Sequence, residues 1–411
     1  MSQNLASRAK VPLVDPRPPE ELWSPISAAI EKVCESQHFV LGSQVEELEV
    51  RFARIMQRQH GIGVSSGTDA ILLALMALQI GPGDEVITTP FAPIAGAAAI
   101  ARTGGRPIFC DIDPETYNLC PAEVDEFIDR HCEVRRERGS YQLVNRGTGG
   151  RIKALLPAHL FGQLCEMSAF MELATYFRLR VIEDVAQGIG AHDDSYVPAG
   201  SFGDIGCYSF SPTSILGAFG DAGMCVTNDS ALAERMKILR VQGAKLKGHH
   251  VLIGGNFRLD EIQAAVLNVK LDLLEDWLRT RDFNAHLYTE LLTSKFPHGG
   301  VVPPRMCHVE QHVFDRYVIR AHNRDALHGY LHNAGIETEV CYPVPLHLQP
   351  CFAHLDHKAG DLPQAELAAT ETLALPMHSQ LTPSQIEYVV AAIDAFYKNG
   401  RAVHPARPGL R

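Results

Sequence analysis

The sequence predicts an α/β protein, with a large domain on a mainly parallel sheet followed by a smaller α+β domain. Two observations carry this. Short β-branched or apolar runs alternate with helical patterns, and these runs are continuously apolar, as strands covered on both faces are. The length of 411 residues is enough for a large domain and a small one without disulfide or metal staples. Residues 20–57 read as two helical stretches around the turn-like Phe39-Val40-Leu41-Gly42-Ser43. Strand candidates follow at Glu85 to Thr89, Pro107 to Ile112, Ile152 to His159, Arg180 to Val185, Ile205 to Phe210 and Met224 to Thr227. Residues 128–151, polar and Gly-rich, read as an inserted surface loop. Helical periodicity from Leu259 to Leu278 leads from the large domain, residues 1–278, into the smaller one, residues 279–398, and residues 399–411 are expected to be a disordered tail. No internal repeat is visible.

Composition narrows the partners. Against 37 Lys and Arg stand 48 Asp and Glu, a net charge of −11, which disfavours nucleic acid and anionic membrane. Met1 to Lys10 has no apolar core of signal-peptide length, and Ala95 to Ala101 is far too short to span a bilayer, so a cytoplasmic location is expected. The ten cysteines form no C-x-x-C pair and read as reduced thiols. His347, His354 and His357 share a Pro-rich stretch without partners placed to complete a metal set, so no metal is expected.

Three segments could carry chemistry. Ser65-Ser66-Gly67-Thr68-Asp69 precedes an apolar helical run, and a helix opening on Gly and Thr offers free N–H groups and a positive dipole end to a phosphate; an ordinary N-cap reads the same way. Val181-Ile182-Glu183-Asp184-Val185-Ala186-Gln187 ends an apolar strand with two carboxylates. An acid there could hold a proton on a heterocyclic nitrogen, with an amide beside a ring substituent, although a solvated strand end looks alike. Gly200 to Met224 is dense in glycine and small hydroxyl residues, fitting close backbone approach to a ligand or a turn-rich connection.

With these segments stand Phe39-Val-Leu-Gly, Gly83-Asp-Glu-Val-Ile, His159-Leu-Phe-Gly-Gln, Gly203-Asp-Ile-Gly-Cys, Leu216-Gly-Ala-Phe-Gly-Asp-Ala-Gly, Asn256-Phe-Arg-Leu-Asp-Glu-Ile-Gln and Tyr342-Pro-Val-Pro-Leu-His. In this order, over roughly residues 20–395, they resemble the DegT/DnrJ/StrS family of sugar aminotransferases. The resemblance implies the type I fold of pyridoxal-phosphate-dependent enzymes, a pyridoxal or pyridoxamine 5'-phosphate cofactor and a nucleotide-linked keto-sugar substrate. It implies that Gly67, Thr68 and Ser209 contact the phosphate, that Asp184 pairs with the pyridine nitrogen, and that Gln187 lies beside the ring hydroxyl. Asn256 would reach the phosphate in a neighbouring subunit, which implies a homodimer with shared sites. Tyr342 and His347 are candidates to line the substrate pocket, and Arg258 and Asp260 to orient the interface.

Two departures stand out. Where the family carries the lysine that bonds the cofactor and moves a proton, this chain has Ser214, and no lysine occurs between Lys153 and Lys237. A serine hydroxyl cannot replace the amine, so cofactor binding is expected to be noncovalent and ordinary transamination severely impaired. Pro93 falls where the family has an aromatic ring stacked on the pyridine; Phe91 shares its parity if the segment is extended. A milder change is Gln242, where many relatives have histidine. One branch of the family, sugar 3-dehydratases, has histidine at the lysine position. For a base here the candidates are His159, His249 and His250, each of which also reads as a core or solvated histidine. The competing readings are a variant pyridoxamine-phosphate enzyme, a dehydratase-like enzyme, and a noncatalytic paralogue that pairs with an active subunit or binds a nucleotide sugar.

Overall fold

A computed structural model describes residues 11–137, 140–305 and 312–399. Of the tail expected over 399–411, Asn399 instead ends a helix, and residues 400–411 lie outside the described residues. Helices α1 (Trp23–Ser36) and α2 (Ser43–Ile55) lead into β1 (His60–Val64), a short strand whose two glycines hid it from the sequence reading. Then follow α3 (Gly67–Ala77), β2 (Asp84–Thr88), α4 (Ala95–Arg102), β3 (Arg106–Phe109), α5 (Pro121–His131), β4 (Cys132–Glu137), β5 (Ser140–Asn145), β6 (Arg151–Leu156), α6 (Met167–Phe177), β7 (Arg180–Asp184), β8 (Ile205–Ser209), β9 (Gly223–Thr227) and α7 (Ser230–Arg240).

The strands order as β1-β9-β8-β7-β6-β2-β3. From β8 to β3 every neighbour is parallel, while β9 runs antiparallel to both β8 and β1. Strands β2 and β9 are buried along their whole length, as expected of strands with helices on both faces. One apolar cluster, with Phe52, Phe170 and Tyr208, covers one face, and α3 fills the other with Ile71, Leu73 and Leu75. Open α/β sheets place ligands beyond the carboxyl ends of their parallel strands. Here Val64, Thr88, Asp184 and Ser209 end β1, β2, β7 and β8.

The inserted loop expected over 128–151 is instead a hairpin. α5 continues to His131, β4 pairs with β5 in antiparallel register from Cys132↔Asn145, and β5 pairs onto β6 through Leu143↔Ile152. The polar composition misled because this hairpin hangs at the side of the sheet. Val134 is exposed, while among the described residues of the hairpin Cys132, Leu143, Val144 and Asn145 are buried.

After the hairpin of β10 (Ala244–Leu246) and β11 (His249–His250) come α8 (Glu261–Leu271) and α9 (Leu274–Lys295), the latter unbroken through residues 278 and 279. A second sheet joins β12 (Val301–Val302), β13 (Tyr317–Ala321) and β14 (Thr372–Leu375), with α10 (Arg324–Asn333), α11 (Pro363–Glu371) and α12 (Pro383–Asn399). Its core gathers Tyr288, Phe314, Tyr317 and Ile386 with Val11 from the other end of the chain.

His312 is buried, stacks on Phe314 at 3.9 Å between ring centroids, and accepts the Phe314 N–H at Nδ1. Burial pushes its imidazole down to about 3 from an ordinary 6.5. The unfolded chain therefore takes up the proton first, and stability is lost as pH falls from about 6.5 toward 3, by roughly 1.4 kcal/mol per pH unit for one such group. His312→Asn keeps an acceptor but does not titrate there. Urea unfolding between pH 7 and pH 5 is expected to show a shallower stability slope in that variant than in the parent, and equal slopes would count against this assignment.

Candidate active site

A cavity of about 200 Å³ opens where those strand ends converge, lined by Gly67, Thr68, Pro93, Asp184, Gln187, Ser209 and Ser214. Ser66 caps α3, its Oγ accepting the Asp69 N–H at 3.1 Å and its carbonyl the Ala70 N–H at 2.9 Å. The first two N–H groups of the helix, of Gly67 and Thr68, have no helical partner and suit an anion. Gly67 is required by packing: a Cβ there would stand 2.5 Å from the Ser209 Cβ and 2.9 Å from its Oγ. The absence of a side chain brings a helix terminus and a strand-end hydroxyl together.

Asp184 is buried, and its Oδ1 accepts the Ala186 N–H at 3.0 Å. Burial raises its carboxyl above the usual aspartate range, against the Ala186 bond and the nearby His159, which lower it. Such an acid is suited to sharing a proton with a basic ring nitrogen. Gln187 is held through Oε1, which accepts the Phe161 N–H at 2.9 Å, and the Tyr342 hydroxyl also bonds its side chain. Phe161 supplies that N–H from a left-handed conformation, φ 58°.

Ser214 lies in the cavity wall, its Oγ 3.0 Å from the Ser211 Oγ and its N–H donated to the Ser211 carbonyl. Among the described residues no imidazole or carboxylate bonds it, and no lysine lines the cavity. Pro93 presents a saturated ring to the cavity. Phe91 does not compensate, because the segment after Thr88 bends and sends Phe91 into a buried cluster with Tyr117, Phe161 and Tyr342.

Other sequence candidates fall elsewhere. His159 is fully buried, with Nε2 3.1 Å from Glu183 Oε2 and Nδ1 accepting the Cys165 N–H at 3.1 Å. Its ring is fixed as the Nε2–H tautomer with both nitrogens occupied, so it is a brace and not a base. His249 and His250 sit on the exposed β10–β11 hairpin. Tyr342 is half-buried beside Gln187 and is not among the residues lining the cavity. His347 is buried against Glu366, 3.1 Å away, also off the wall. Asn256 is exposed outside this chain's cavity, its Oδ1 accepting the Arg258 Nε–H at 2.7 Å. Arg258 and Asp260 are exposed beside it.

Asp315 and Arg316 also line the cavity and were missed. Arg316 Nη1 donates to the Asp315 carbonyl and carboxylate, and burial raises the Asp315 carboxyl against the pull of Arg316 and Arg281. The only sequence sign was a charged pair directly before the apolar strand β13.

Residues 22–394 match the DegT/DnrJ/EryC1/StrS aminotransferase family. The chain belongs to that family. Among its relatives is the "pleiotropic regulatory protein" of Geobacillus stearothermophilus, 44% identical over 92% of this chain and 96% of the relative. Another is the UDP-N-acetyl-3-dehydro-α-D-glucosamine 3-aminotransferase of Acidithiobacillus ferrooxidans, 38% identical over 96% and 98%. Among solved structures, NtdA of Bacillus subtilis with its bound cofactor PMP superposes with a TM-score of 0.81, at 28% identity over 95% of this chain and 87% of that one. The fold is thus the pyridoxal-phosphate-dependent type I fold of sugar aminotransferases. No described helix is long and apolar enough to cross a membrane.

Behind Asp184, Glu183 accepts the N–H groups of Gly200, Phe202 and Gly203 at 2.7, 2.8 and 2.7 Å, besides facing His159. Burial alone would raise its carboxyl, but these bonds outweigh it and hold it below its ordinary value. Glu183→Gln turns an amide toward these donors. It is expected to cost at least about 2 kcal/mol, since a hydrogen bond to a charged acceptor contributes roughly 1.5–3 kcal/mol, measured by urea denaturation at pH 7; a loss below about 1 kcal/mol would place this carboxylate outside the folding core.

Proposed function

We propose that this chain binds pyridoxamine or pyridoxal 5'-phosphate noncovalently in the cavity at the strand ends and acts on a nucleotide-linked keto-sugar or related cyclic ketone. The observation that carries this reading is one cavity containing the Gly67-Thr68 helix terminus, the Ser209 hydroxyl, the buried Asp184 and the amide of Gln187. The N–H groups of Gly67 and Thr68 with Ser209 would hold the phosphate. Asp184 would hold a proton on the ring nitrogen, and Gln187, its Oε1 occupied by Phe161, would offer its NH₂ to the ring hydroxyl. When bound, the cofactor supplies an amino group for a carbonyl carbon and a conjugated ring that takes up electrons. Ser214 supplies no amine, and its hydroxyl is bonded to another hydroxyl, so it neither attaches the cofactor nor accepts a proton readily near pH 7. Pro93 replaces ring stacking with an aliphatic contact, which weakens retention. The UDP-sugar named for the Acidithiobacillus relative supports the substrate class. The exposed Asn256 is in keeping with a homodimer in which it completes the partner's site, in the cytoplasm.

A second reading is a noncatalytic paralogue that pairs with an active subunit or binds a nucleotide sugar. The unactivated Ser214 supports it, as does the regulatory name of the Geobacillus relative. A dehydratase-like reaction has less support, since no imidazole stands among the described lining residues.

Mixing the protein with pyridoxal phosphate and then borohydride is expected to leave the chain unmodified by mass spectrometry, while equilibrium dialysis with pyridoxamine phosphate shows saturable binding. Gly67→Ala should weaken that binding at least about tenfold, equivalent to about 1.4 kcal/mol. Ser214→Lys should create a borohydride-trappable adduct at residue 214. A reduced adduct on another lysine of the parent protein would overturn noncovalent binding. Amination of a UDP-linked 3-keto-sugar with added pyridoxamine phosphate separates the enzyme from the noncatalytic paralogue, which would bind without turnover.

A further inference from the structure

On the other side of the turn that carries Ser214 lies a second, narrower cavity of about 40 Å³, which shares Thr213 and Ser214 with the first. Its wall brings together Lys270 of α8, Arg281 of α9 and His378 after β14. These residues are 4%, 5% and 5% exposed. Nothing in the proposed cofactor chemistry uses them.

Their hydrogen-bonding capacity is incompletely met. Lys270 Nζ donates to the Gly217 carbonyl at 2.6 Å and lies 4.7 Å from the centre of the Phe219 ring, and no carboxylate is paired with it. Burial, with no counter-charge, pushes its ammonium down to about 8. Arg281 donates through Nη1 to the carbonyls of Phe314 and Met377, but its buried Nε has no partner. Neither ring nitrogen of His378 has a partner either. The acids nearby are already engaged. Asp15, in the wall, takes two bonds from the Arg17 side chain, and Asp315, beyond Arg281, is bonded to Arg316. The cavity is left with two buried cations, Lys270 and Arg281, that no described carboxylate bonds, beside the unpartnered imidazole of His378, which burial and Arg281 push down to about 4 and so keep neutral near pH 7; folded proteins normally satisfy such donors with an acceptor.

We propose that this cavity binds a small oxyanion of the phosphate, sulfate or bicarbonate class, held between Lys270, Arg281 and His378. A single water needs roughly 10–15 Å³ of such space, so the volume suits an ion of a few atoms and not a sugar or nucleotide. Donors arriving from three separate elements favour several acceptor oxygens over one spherical halide. The bound ion links α8, α9 and the segment after β14 behind residues 211–217. Since Lys270 also grips Gly217, occupancy stiffens the turn whose opposite face lines the candidate active site. The site would then couple the local anion concentration to the order of that turn.

The test uses the full-length protein saturated with pyridoxamine phosphate, titrated with inorganic phosphate by calorimetry at an ionic strength held constant with sodium chloride. The Gly67→Ala variant, with its phosphate cradle closed, serves as a parallel background should pyridoxamine phosphate fail to bind. In either background one phosphate per chain is expected, with Kd below about 1 mM. His378→Leu sacrifices no existing hydrogen bond and should fold; it is expected to weaken phosphate binding at least about tenfold, and Lys270→Met further. Three outcomes overturn the proposal: no saturable phosphate binding, which leaves only water in the cavity; chloride competing with phosphate at equal concentration; or unchanged affinity in both variants.

Discussion

Glu183 is a carboxylate with no access to solvent, placed one residue before the acid that faces the cavity. It gathers three backbone N–H groups from residues 200–203 and the ring of His159, tying the end of β7 both to the segment that leads into β8 and to the turn at Leu160. The cavity depends on that tie. Asp184 projects from the same strand end, Ser209 closes the strand reached through residues 200–203, and Gln187 is locked by Phe161, two residues past His159. A buried charge satisfied by the backbone of one segment and a side chain of another fixes their relative placement more sharply than apolar packing, which tolerates small slides.

The framework around this tie separates positioning from reactivity. The cradle at Gly67, the acid at Asp184 and the amide at Gln187 are each held by neighbours that make no demand on residue 214. Ser214 bonds only Ser211 and leaves the surrounding geometry intact. On the proposed reading, a cavity without an amine at residue 214 and a set of groups able to hold the cofactor are compatible in one fold.

Much of this was legible in the sequence because strand ends and helix starts leave local signatures. Asp184 and Gln187 follow a continuous apolar run, and Gly67-Thr68 opens an apolar helix. The failures have physical causes. The parity linking Phe91 to Pro93 requires an extended backbone, and the chain bends after Thr88. His159 stood in a suggestive motif, but only the fold shows both its nitrogens taken. The hairpin over 132–145 was read as loop because β4 exposes Val134, Arg135 and Arg136 in succession, on both its faces, and a polar strand carries little hydrophobic pattern. Asp315 and Arg316 reach the cavity from a segment more than 100 positions beyond Ser209, a proximity that no local pattern encodes.

Val11 exchanges backbone bonds with Gly335 and Glu337, and Leu13 N–H meets the Glu337 carboxylate across 324 positions of sequence. On a ribosome adding roughly 5–20 residues per second, the segment at Val11 must wait from about a quarter of a minute to a minute for residues 335–337. Throughout that interval Val11 and Leu13 are unpaired apolar residues beside a growing sheet. A nascent chain of this architecture completes this core only once residues 335–337 have been made, so its assembly is delayed relative to contacts closed over shorter separations.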